Sequence, residues 1–478
     1  MRVLLVNTNR VKLPQPVIPI GICNVASALQ RQNIVTHVLD LCFAGSPVAA
    51  ISETIASFAP DCVGLSIRNL DNSDYREPRF YLPEVKPVVE AIRQRTSASI
   101  VLGGPAVSIA PWSVLDYFGC NIAVVRDGDE TIADVVSALS RGALPETSGV
   151  SPRSDGKLVV TPPKRHSTVL DLPAPRVHRW LNLHSYLRYH VPLPVQTKRG
   201  CTLKCSYCTY RSIEGEGYRF KAAEQVAEEI EEMASETGWH FFEIVDSTFN
   251  CPESHALDVC RALARLDRRV VLQGSINPAS CSPELLAAMK RVGFSNVVCT
   301  PDSASDVVLS NLGKGFGSES LWHLVDNLHA VDMPVLWCFL FGGPGETEET
   351  VRETLMFINT RLTGRDVVLI SAGIRVYPGT ELARLAAEQG VIDEHTDLLR
   401  PTFYFSASLS PQRFASLMTE LLPSNRRYVF SSDLSMGFLL PLQRMASVLR
   451  LKTPLWQYAP IVNRLFPKRG SSAKWNGQ

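Results

Sequence analysis

The chain has almost no net charge and no strongly basic stretch. Its 478 residues include 48 Lys and Arg against 47 Asp and Glu, which gives a formal net charge of +1. Proteins that hold nucleic acid by its phosphates usually cluster Lys and Arg on one face or along one helix. We therefore expect no nucleic-acid partner.

Long apolar runs are lacking as well. No uninterrupted apolar stretch approaches the roughly 20 residues that cross a bilayer. The apolar run at residues 1–6 is ended by Asn7, Thr8, Asn9 and Arg10, and it is too short for the core of a signal peptide. We expect a cytoplasmic protein.

The first predicted strand is not followed by the G-x-G-x-x-G loop of a dinucleotide site. Strands and helices nevertheless alternate along this part of the chain, which predicts an α/β fold with a doubly wound (Rossmann-like) parallel sheet. The expected strands are residues 3–6, 35–39, 62–67, 99–102 and 122–125, with helices at 21–32 and 82–95.

Two of these strands end in turns that contain glycine. Gly103 and Gly104 follow the fourth strand, and Asp127, Gly128 and Glu130 follow the fifth. Open α/β sheets bind ligands at the carboxyl ends of their strands, and glycine lets a ligand approach the backbone closely. An ordinary turn explains Gly-Gly-Pro equally well, so both interpretations stay open at this point.

Three of the 12 cysteines, Cys201, Cys205 and Cys208, share one short stretch. The spacing lets a loop give one thiolate to each of three irons of an iron–sulfur cluster and leaves a fourth iron open. A structural zinc site needs four protein ligands, and the next cysteine, Cys251, is remote in sequence. Zinc with a remote ligand and incidental buried thiols are the alternatives. A cluster loop needs free thiolates and hence a reducing compartment.

Strand–helix alternation resumes after a segment rich in Pro, Ser and Arg. Strands starting near residues 194, 241, 270, 296, 335 and 367 predict a partial (β/α)6 barrel with its site at the carboxyl strand ends. The predicted organisation is a first domain at 1–141, a linker or docking segment at 142–191, the barrel at 192–392 and a small α-rich C-terminal domain at 393–478.

The cysteine loop, with Tyr207 before its last cysteine, resembles the signature loop of radical S-adenosylmethionine (SAM) enzymes. The first domain resembles the cobalamin-binding domain that is fused to many of them. Together the two halves resemble the cobalamin-dependent (class B) radical SAM methyltransferase family. The resemblance implies three cofactors: a [4Fe-4S] cluster on the three cysteines, SAM on the open iron, and cobalamin.

The same resemblance implies binding residues at strand ends, and it leaves catalytic residues unassigned. Those expected along cobalamin are Arg68, Asn69, Gly103, Gly104, Asp127, Gly128 and Glu130. Those expected near SAM are Asp246, Asn250, Asp302, Ser303, Ser305, Gly343 and Tyr377. Each of the latter positions also fits an ordinary turn before a helix N-cap.

The first loop departs from the cobalamin pattern in which Asp-x-His-x-x-Gly supplies a histidine to cobalt, because residues 7–12 contain no histidine. We expect a lower cobalt face without a protein histidine. Arg68 is a candidate for that position, since a guanidinium has no lone pair to offer a metal. A surface ion pair of Arg68 with Asp71 or Asp74 is the alternative.

In the family that this chain resembles, a deoxyadenosyl radical removes hydrogen from an unreactive carbon, which then takes a methyl group from cobalamin. We expect methylation of a small-molecule, natural-product or lipid-like substrate, with an electron donor such as flavodoxin or ferredoxin and a monomeric enzyme. The alternatives are a rearrangement, ring-contraction or cyclisation enzyme with the same cofactors, and a cobalamin-binding sensor.

The last part of the chain gives weaker signals. Residues 403–405 are aromatic and either form a core strand or close the barrel mouth over substrate. The basic and aromatic segment 437–467 is expected to pack on the barrel rather than rest on a membrane surface. Residues 471–478 are expected to be disordered.

Overall fold

The computed structural model describes residues 1–145, 149–153, 156–161, 168–422, 427–431, 439–449, 451 and 455–459. The first part of the chain alternates strands and helices. Its elements are β1 (Arg2–Asn7), α1 (Ile20–Arg31), β2 (Val35–Asp40), α2 (Pro47–Phe58), β3 (Cys62–Ser66), α3 (Leu82–Arg95), β4 (Ser99–Gly103), α4 (Pro105–Ile109), α5 (Pro111–Phe118), β5 (Ile122–Ala123), α6 (Gly128–Ser140), β6 (Gly149–Arg153) and β7 (Gly156–Val160).

These strands form one seven-stranded sheet in the order β2-β1-β3-β4-β5-β7-β6. Pairing is parallel throughout except between β6 and β7. β1 is nearly all apolar and buried because helices cover both faces of its sheet. The hairpin of β6 and β7 lies in the segment predicted as a linker. Its Pro, Ser and Gly residues carry little strand signal, so only the pairing with β5 reveals it.

The second part of the chain repeats the alternation. Its elements are α7 (Val177–Trp180), α8 (His184–Leu187), β8 (Leu193–Val195), β9 (Lys198–Arg199), α9 (Tyr210–Glu214), β10 (Arg219–Phe220), α10 (Ala223–Thr237), β11 (Phe241–Ile244), α11 (Glu253–Leu263), β12 (Val271–Ile276), α12 (Pro283–Arg291), β13 (Val297–Asp302), α13 (Asp306–Asn311), α14 (Ser318–Ala330), β14 (Val335–Phe341), α15 (Glu348–Arg361), β15 (Val367–Ala372), β16 (Ile374–Arg375), α16 (Glu381–Glu388), β17 (Phe403–Tyr404), α17 (Pro411–Leu421), β18 (Tyr428–Phe430) and α18 (Leu439–Val448). Two short 3-10 helices are Pro278–Ser280 and Leu455–Tyr458.

Seven parallel strands build the second sheet, in the order β18-β15-β14-β13-β12-β11-β8. β8 and β18 are its two ends, so the sheet is an open, partial barrel. The six predicted strands are present and start within two residues of their predicted positions. The seventh, β18, comes from the predicted C-terminal domain and pairs with β15. The predicted α/β fold class is confirmed.

Local capping explains where several barrel helices begin. Thr347 and Thr350 form a capping box at α15, and the Thr380 hydroxyl accepts from the backbone amide of Ala383 at α16. Ser282 and Ser410 cap α12 and α17 in the same way, each followed by proline at the first helical position.

The hydrophobic core continues across the two sheets. One buried cluster joins the α1 and α6 side of the first sheet to α8 and the outer helices of the barrel. A second cluster fills the other face of the first sheet. A third includes Tyr404 of β17, which is 1% exposed, so the aromatic stretch at 403–405 contributes a core strand.

Of the predicted segment 437–467, the structure describes 439–449, 451 and 455–459, and all of 471–478 lies outside the described residues. None of the helices among the described residues combines the length and the apolar character that crossing a membrane requires.

Candidate functional site

The cysteine loop follows β9, and backbone hydrogen bonds hold it in place. The amide of Cys201 donates to the carbonyl of Gly215 at 3.1 Å, and that of Cys208 donates to the carbonyl of Cys205 at 3.2 Å. All three thiols are free. Burial raises the pKa of the Cys208 thiol to about 11, and the charges of Cys205 and Cys201 add to this rise.

A distant part of the barrel supports the middle of this loop. The amide of Ser206 donates to the carbonyl of Leu312 at 2.9 Å. The next residue, Gly313, has φ +66°, and a Cβ there would lie 2.7 Å from the carbonyl oxygen of Lys204. Glycine is therefore required for the two segments to pass so closely.

Asp302 and Tyr207 meet Lys314 behind the cysteine loop. Lys314 Nζ lies 2.7 Å from Asp302 Oδ2 and donates to the carbonyl of Thr300 at 2.9 Å. The Tyr207 hydroxyl donates to the same carboxylate oxygen. Each charged side chain of the pair is 6% exposed. The carboxylate of Asp302 is thus engaged by the protein, and its predicted contact with SAM stays a prediction.

Asp246 is the centre of a second buried network, directly after β11. Its carboxylate accepts from the backbone and the hydroxyl of Thr197 at 2.8 and 2.6 Å and lies 2.9 Å from Lys198 Nζ. Lys198 also donates to the carbonyls of Thr248 and Phe249 at 2.6 and 3.0 Å. This network fastens the start of the cysteine loop to the loop after β11. The predicted contact of Asp246 with SAM stays a prediction.

Three more predicted residues lie at the same carboxyl edge. The amide group of Asn250 is fully buried and bonds the backbone of Asn277 in both directions, at 2.7 Å each. The Ser303 hydroxyl lies 3.0 Å from that of Thr354. In contrast, the Ser305 hydroxyl is 1% exposed and has no hydrogen-bond partner in the part of the chain that the structure describes.

Gly343 and Tyr377 complete this edge. The amide of Gly343 donates to Glu346 Oε2 at 3.1 Å, and burial raises the pKa of Glu346 to about 8. The Tyr377 hydroxyl lies 2.8 Å from that of Ser73, a residue of the first domain. Tyr377 therefore stands where the two sheets meet.

Gly103 and Gly104 line a large cavity at the carboxyl edge of the first sheet, which we call the interdomain cavity. Its empty volume is about 1660 Å³, including space open to solvent. Gly104 has φ +96°, and a Cβ there would lie 2.6 Å from the carbonyl oxygen of Ile67. The barrel contributes Gln196, Arg199, Ile213, Glu214, Glu243 and Val245 to the same cavity, so it lies between the two sheets.

Arg68 follows β3 and also lines the interdomain cavity. Its side chain is exposed. The surrounding protein lowers the pKa of Arg68 by burial, which Tyr210 and Glu243 oppose. Its neighbour Asn69 is half-buried. The alternative ion pair does not form, because Asp71 pairs with Arg375 at 2.7 Å and Asp74 holds backbone amides.

The acidic start of α6 meets two arginines of the barrel. Arg199 lies 2.9 Å from Asp127 and 2.6 Å from Asp129, and Arg219 lies 3.2 Å from Glu130. Arg199 and Arg219 belong to the two short strands that flank the cysteine loop. Asp127 and Glu130 therefore connect the first sheet, where cobalamin is predicted, to the strands that flank the cysteine loop. Arg199 and Arg219 could not be singled out from the sequence, because single charged residues carry no motif.

Glu214 is a further residue that the sequence analysis missed. Its carboxylate accepts from the amide of Gly200 at 3.1 Å and from Gln196 Nε2 at 3.0 Å. Burial raises the pKa of Glu214 to about 7, although Arg199 opposes the rise. The side chain thus braces the residue that precedes the first cluster cysteine.

The residues present fit the groups that the sequence analysis implied. Three free thiols on one loop are the donor set of an iron–sulfur cluster. No three His, Cys, Asp or Glu side chains of the described residues surround one point as ligands of a single ion do. A four-iron cluster needs no such point, since each thiolate binds its own iron. The large cavity beside Gly104 lies where the sequence predicts cobalamin, and the Ser305 hydroxyl has no partner among the described residues, so its contact with SAM stays a prediction.

Two family models match the chain in the order of its two sheets. Residues 6–136 match the B12 binding domain, and residues 195–358 match the Radical SAM superfamily. The radical SAM match contains all three cysteines of the loop. The B12 match ends within α6 and contains the glycine-lined edge of the first sheet.

Individual relatives agree with this arrangement. An uncharacterized methyltransferase of Pyrococcus horikoshii is 27% identical over 379 residues, which cover 78% of this chain and 79% of that protein. Tryptophan 2-C-methyltransferase of Streptomyces laurentii is 24% identical over 455 residues, 81% of this chain and 74% of that one.

A solved structure shares the whole fold. The radical S-adenosylmethionine methyltransferase TsrM from Kitasatospora setae, with tryptophan and a SAM analog bound, superposes with a TM-score of 0.82 at 23% identity and covers 98% of this chain and 99% of that one. The cysteine loop, the interdomain cavity, the two domain matches and these relatives lead to one conclusion: the chain combines a B12 binding domain with a Radical SAM superfamily domain, and it is similar to proteins named as methyltransferases.

Proposed function

We propose that the enzyme methylates an unactivated carbon of a small-molecule, natural-product or lipid-like substrate. One observation carries this proposal. The interdomain cavity extends from Gly103 and Gly104 on the first sheet to Ile213 and Glu214, directly after the cysteine loop. A group bound at the first sheet and a group bound at the cysteine loop would therefore face the same space. Transfer of a methyl group to a carbon radical requires such an arrangement.

The chain's residues are assigned to the cofactors as follows. Cys201, Cys205 and Cys208 hold the [4Fe-4S] cluster, and Ser305 and Gly343 lie on the side of SAM. Gly103, Gly104, Asn69 and Arg68 lie along cobalamin. When bound, the cluster and SAM supply radical chemistry and cobalamin supplies a methyl group.

The protein itself contributes position and exclusion of water. Arg199 and Arg219 join the start of α6 to the strands around the cysteine loop through buried ion pairs. Arg375 and Asp71 form a further buried pair between the two halves, at 2.7 Å. Two sheets tied in this way keep their carboxyl edges at a fixed separation, so reacting groups on either side meet in one geometry.

We also propose that the enzyme acts as a monomer, takes electrons from a donor such as flavodoxin or ferredoxin, and works in the reducing cytoplasm. The last point is supported by the state of its cysteines, all 12 of which are free.

Product analysis tests the proposed reaction. A methylase of this kind should form deoxyadenosine and S-adenosylhomocysteine in comparable amounts and place the labelled methyl group of SAM in its product. Deoxyadenosine without S-adenosylhomocysteine would instead indicate a rearrangement. S-adenosylhomocysteine without deoxyadenosine would indicate polar methyl transfer. A protein that binds cobalamin and forms neither product would be a sensor.

A further inference from the structure

The inner face of the barrel sheet is not filled by its own side chains. On the outer face, residues such as Phe242, Leu272 and Trp337 are fully buried against the helices. The residues that alternate with them are mostly half-buried. We call their face the barrel lumen; it consists of Glu243, Val245, Gln273, Ser275, Val298, Leu336, Cys338, Leu340 and Leu369. Parallel barrel strands normally bury both faces, so this lumen has space for a guest molecule.

Glu243 is the acidic residue on this face, and it opens onto the interdomain cavity. Other carboxylates of the interior have cations close by: Lys198 lies 2.9 Å from Asp246, and Lys314 lies 2.7 Å from Asp302. Among the described residues, Glu243 has no such ion pair. Burial raises its pKa, and Arg68 and Gln273 oppose the rise. A buried carboxylate without a direct ion pair has its loss of hydration only partly offset, here by Arg68 beyond ion-pair distance.

Gln273 stands beside Glu243 on the neighbouring strand. The two residues are direct partners in the parallel register of β11 and β12. Gln273 is only 7% exposed, and its Oε1 has no hydrogen-bond partner in the described part of the chain. The Glu243 carboxylate and the unpartnered Gln273 Oε1 are thus two acceptor groups on neighbouring strands. A buried acceptor that is left unpaired is costly, so the pair fits a ligand with several N–H donors.

The rest of the lumen is mainly apolar. Val298 and Leu336 are register partners across β13 and β14, and Leu340 and Leu369 extend the same face. This surface suits a hydrocarbon or aromatic group and offers no second charge.

We propose that Glu243 and Gln273 bind the ammonium group of an amine substrate whose apolar body lies against the aliphatic side chains of the barrel lumen. The inference rests on the proposed function, in that the lumen opens onto the cavity where the reaction is assigned. It adds the chemical class of the substrate and the two residues that select it.

Binding of matched probes to the anaerobically reconstituted holoenzyme tests this proposal. The probes are 2-phenylethylamine and tryptamine, each compared with its alcohol analogue, 2-phenylethanol and tryptophol. Calorimetry should show at least one amine binding about tenfold or more tightly than its alcohol, because a hydrogen bond to a charged group is worth about one to two factors of ten. The Glu243→Gln variant should lose most of this preference while it binds the alcohol as before.

Two further variants separate recognition from folding. Gln273→Leu removes the unpaired acceptor and should weaken amine binding by a few fold. Glu228→Gln changes an exposed carboxylate on α10 and should bind every probe like the wild type. Equal binding of amine and alcohol by the wild type, an unchanged preference in Glu243→Gln, or no amine binding at millimolar concentration would overturn the proposal.

Failure of the proposed function would look different. Formation of deoxyadenosine and S-adenosylhomocysteine is measured separately from probe affinity. A wild type that discriminates the probes but forms only one of the two products would keep the amine site and lose the proposal of methylation through a carbon radical. A wild type that forms both products without discriminating the probes would do the reverse.

Discussion

The two carboxyl edges that face the interdomain cavity differ in how much of their surface they leave open. At the barrel edge, charged groups are paired inside the protein, as in Lys198 with Asp246 at 2.9 Å and Lys314 with Asp302 at 2.7 Å. At the edge of the first sheet, Asp127 and Asp71 also pair with arginines of the barrel, but Arg68 and Gly104 face open space. The barrel edge thus fixes the loops that carry its ligands, whereas the first sheet leaves a surface for a large group.

This difference changes how strand-end motifs are interpreted. Asp246, Asn250 and Asp302 stand where family resemblance places SAM contacts, yet each side chain is saturated by neighbouring segments of the chain. A polar residue at a strand end can hold neighbouring loops in place instead of contacting a ligand. Substitutions at the two edges should therefore have different consequences, and four experiments compare them.

The largest effect is expected at the cysteine loop. Replacing Cys201, Cys205 and Cys208 by Ala should abolish the [4Fe-4S] cluster of the anaerobically reconstituted protein, because no other thiolates replace them. Iron and sulfide analysis measures this directly. Cys251→Ala is the matched control and should keep its cluster. Full iron in the triple variant together with loss of iron in Cys251→Ala would refute the ligand assignment.

The next largest effect is expected at the buried pair behind the barrel edge. Asp246→Asn leaves Lys198 charged and uncompensated, which typically costs about 3–5 kcal/mol. We expect a strongly lowered melting temperature and poor cluster incorporation. Asp258→Asn breaks the exposed pair with Arg261 and should change stability by less than about 0.5 kcal/mol. Equal melting temperatures for the two variants would contradict the structural role of Asp246.

A smaller and more local effect is expected at the first sheet. Gly104→Ala places a Cβ 2.6 Å from the carbonyl oxygen of Ile67 at a φ of +96°, so the loop must shift at a cost of about 1–3 kcal/mol. Cobalamin content should fall while iron content stays normal. Gly45→Ala, where a Cβ meets nothing within 4 Å, is the control. Loss of iron rather than cobalamin would show that the two edges are not independent.

The smallest effect on stability is expected at Arg68, where the readout is spectroscopic. Electron paramagnetic resonance of the cob(II)alamin form should show no nitrogen superhyperfine splitting in the wild type, because a guanidinium has no lone pair for cobalt. Arg68→His should introduce that splitting. Splitting in the wild type would exclude an unligated lower face. Absence of splitting in the Arg68→His variant would show that Arg68 does not lie under the cobalt.

Much of the fold could be predicted because its signals are local. The barrel strands at Phe241, Val335 and Val367 start where the apolar runs predict them, since each run needs only its own residues to be recognised. The hairpin at residues 149–160 and β18 escaped prediction. Both are short and lack a strong pattern, and only their pairing with β5 and β15 identifies them as strands.

The sequence by itself determined the cluster loop, because three thiols on one short stretch define a donor set without help from the rest of the chain. It also determined the fold class and, through Gly103 and Gly104, one edge of the cavity. Only the tertiary structure decided what the charged residues do. Arg199 meets Asp127 across 72 positions, and Arg375 meets Asp71 across 304. Partners so far apart in the sequence have no fixed spacing by which a motif could be recognised. Their pairing follows from how two sheets pack against each other, and that packing also leaves Glu243 and Gln273 facing an unfilled lumen.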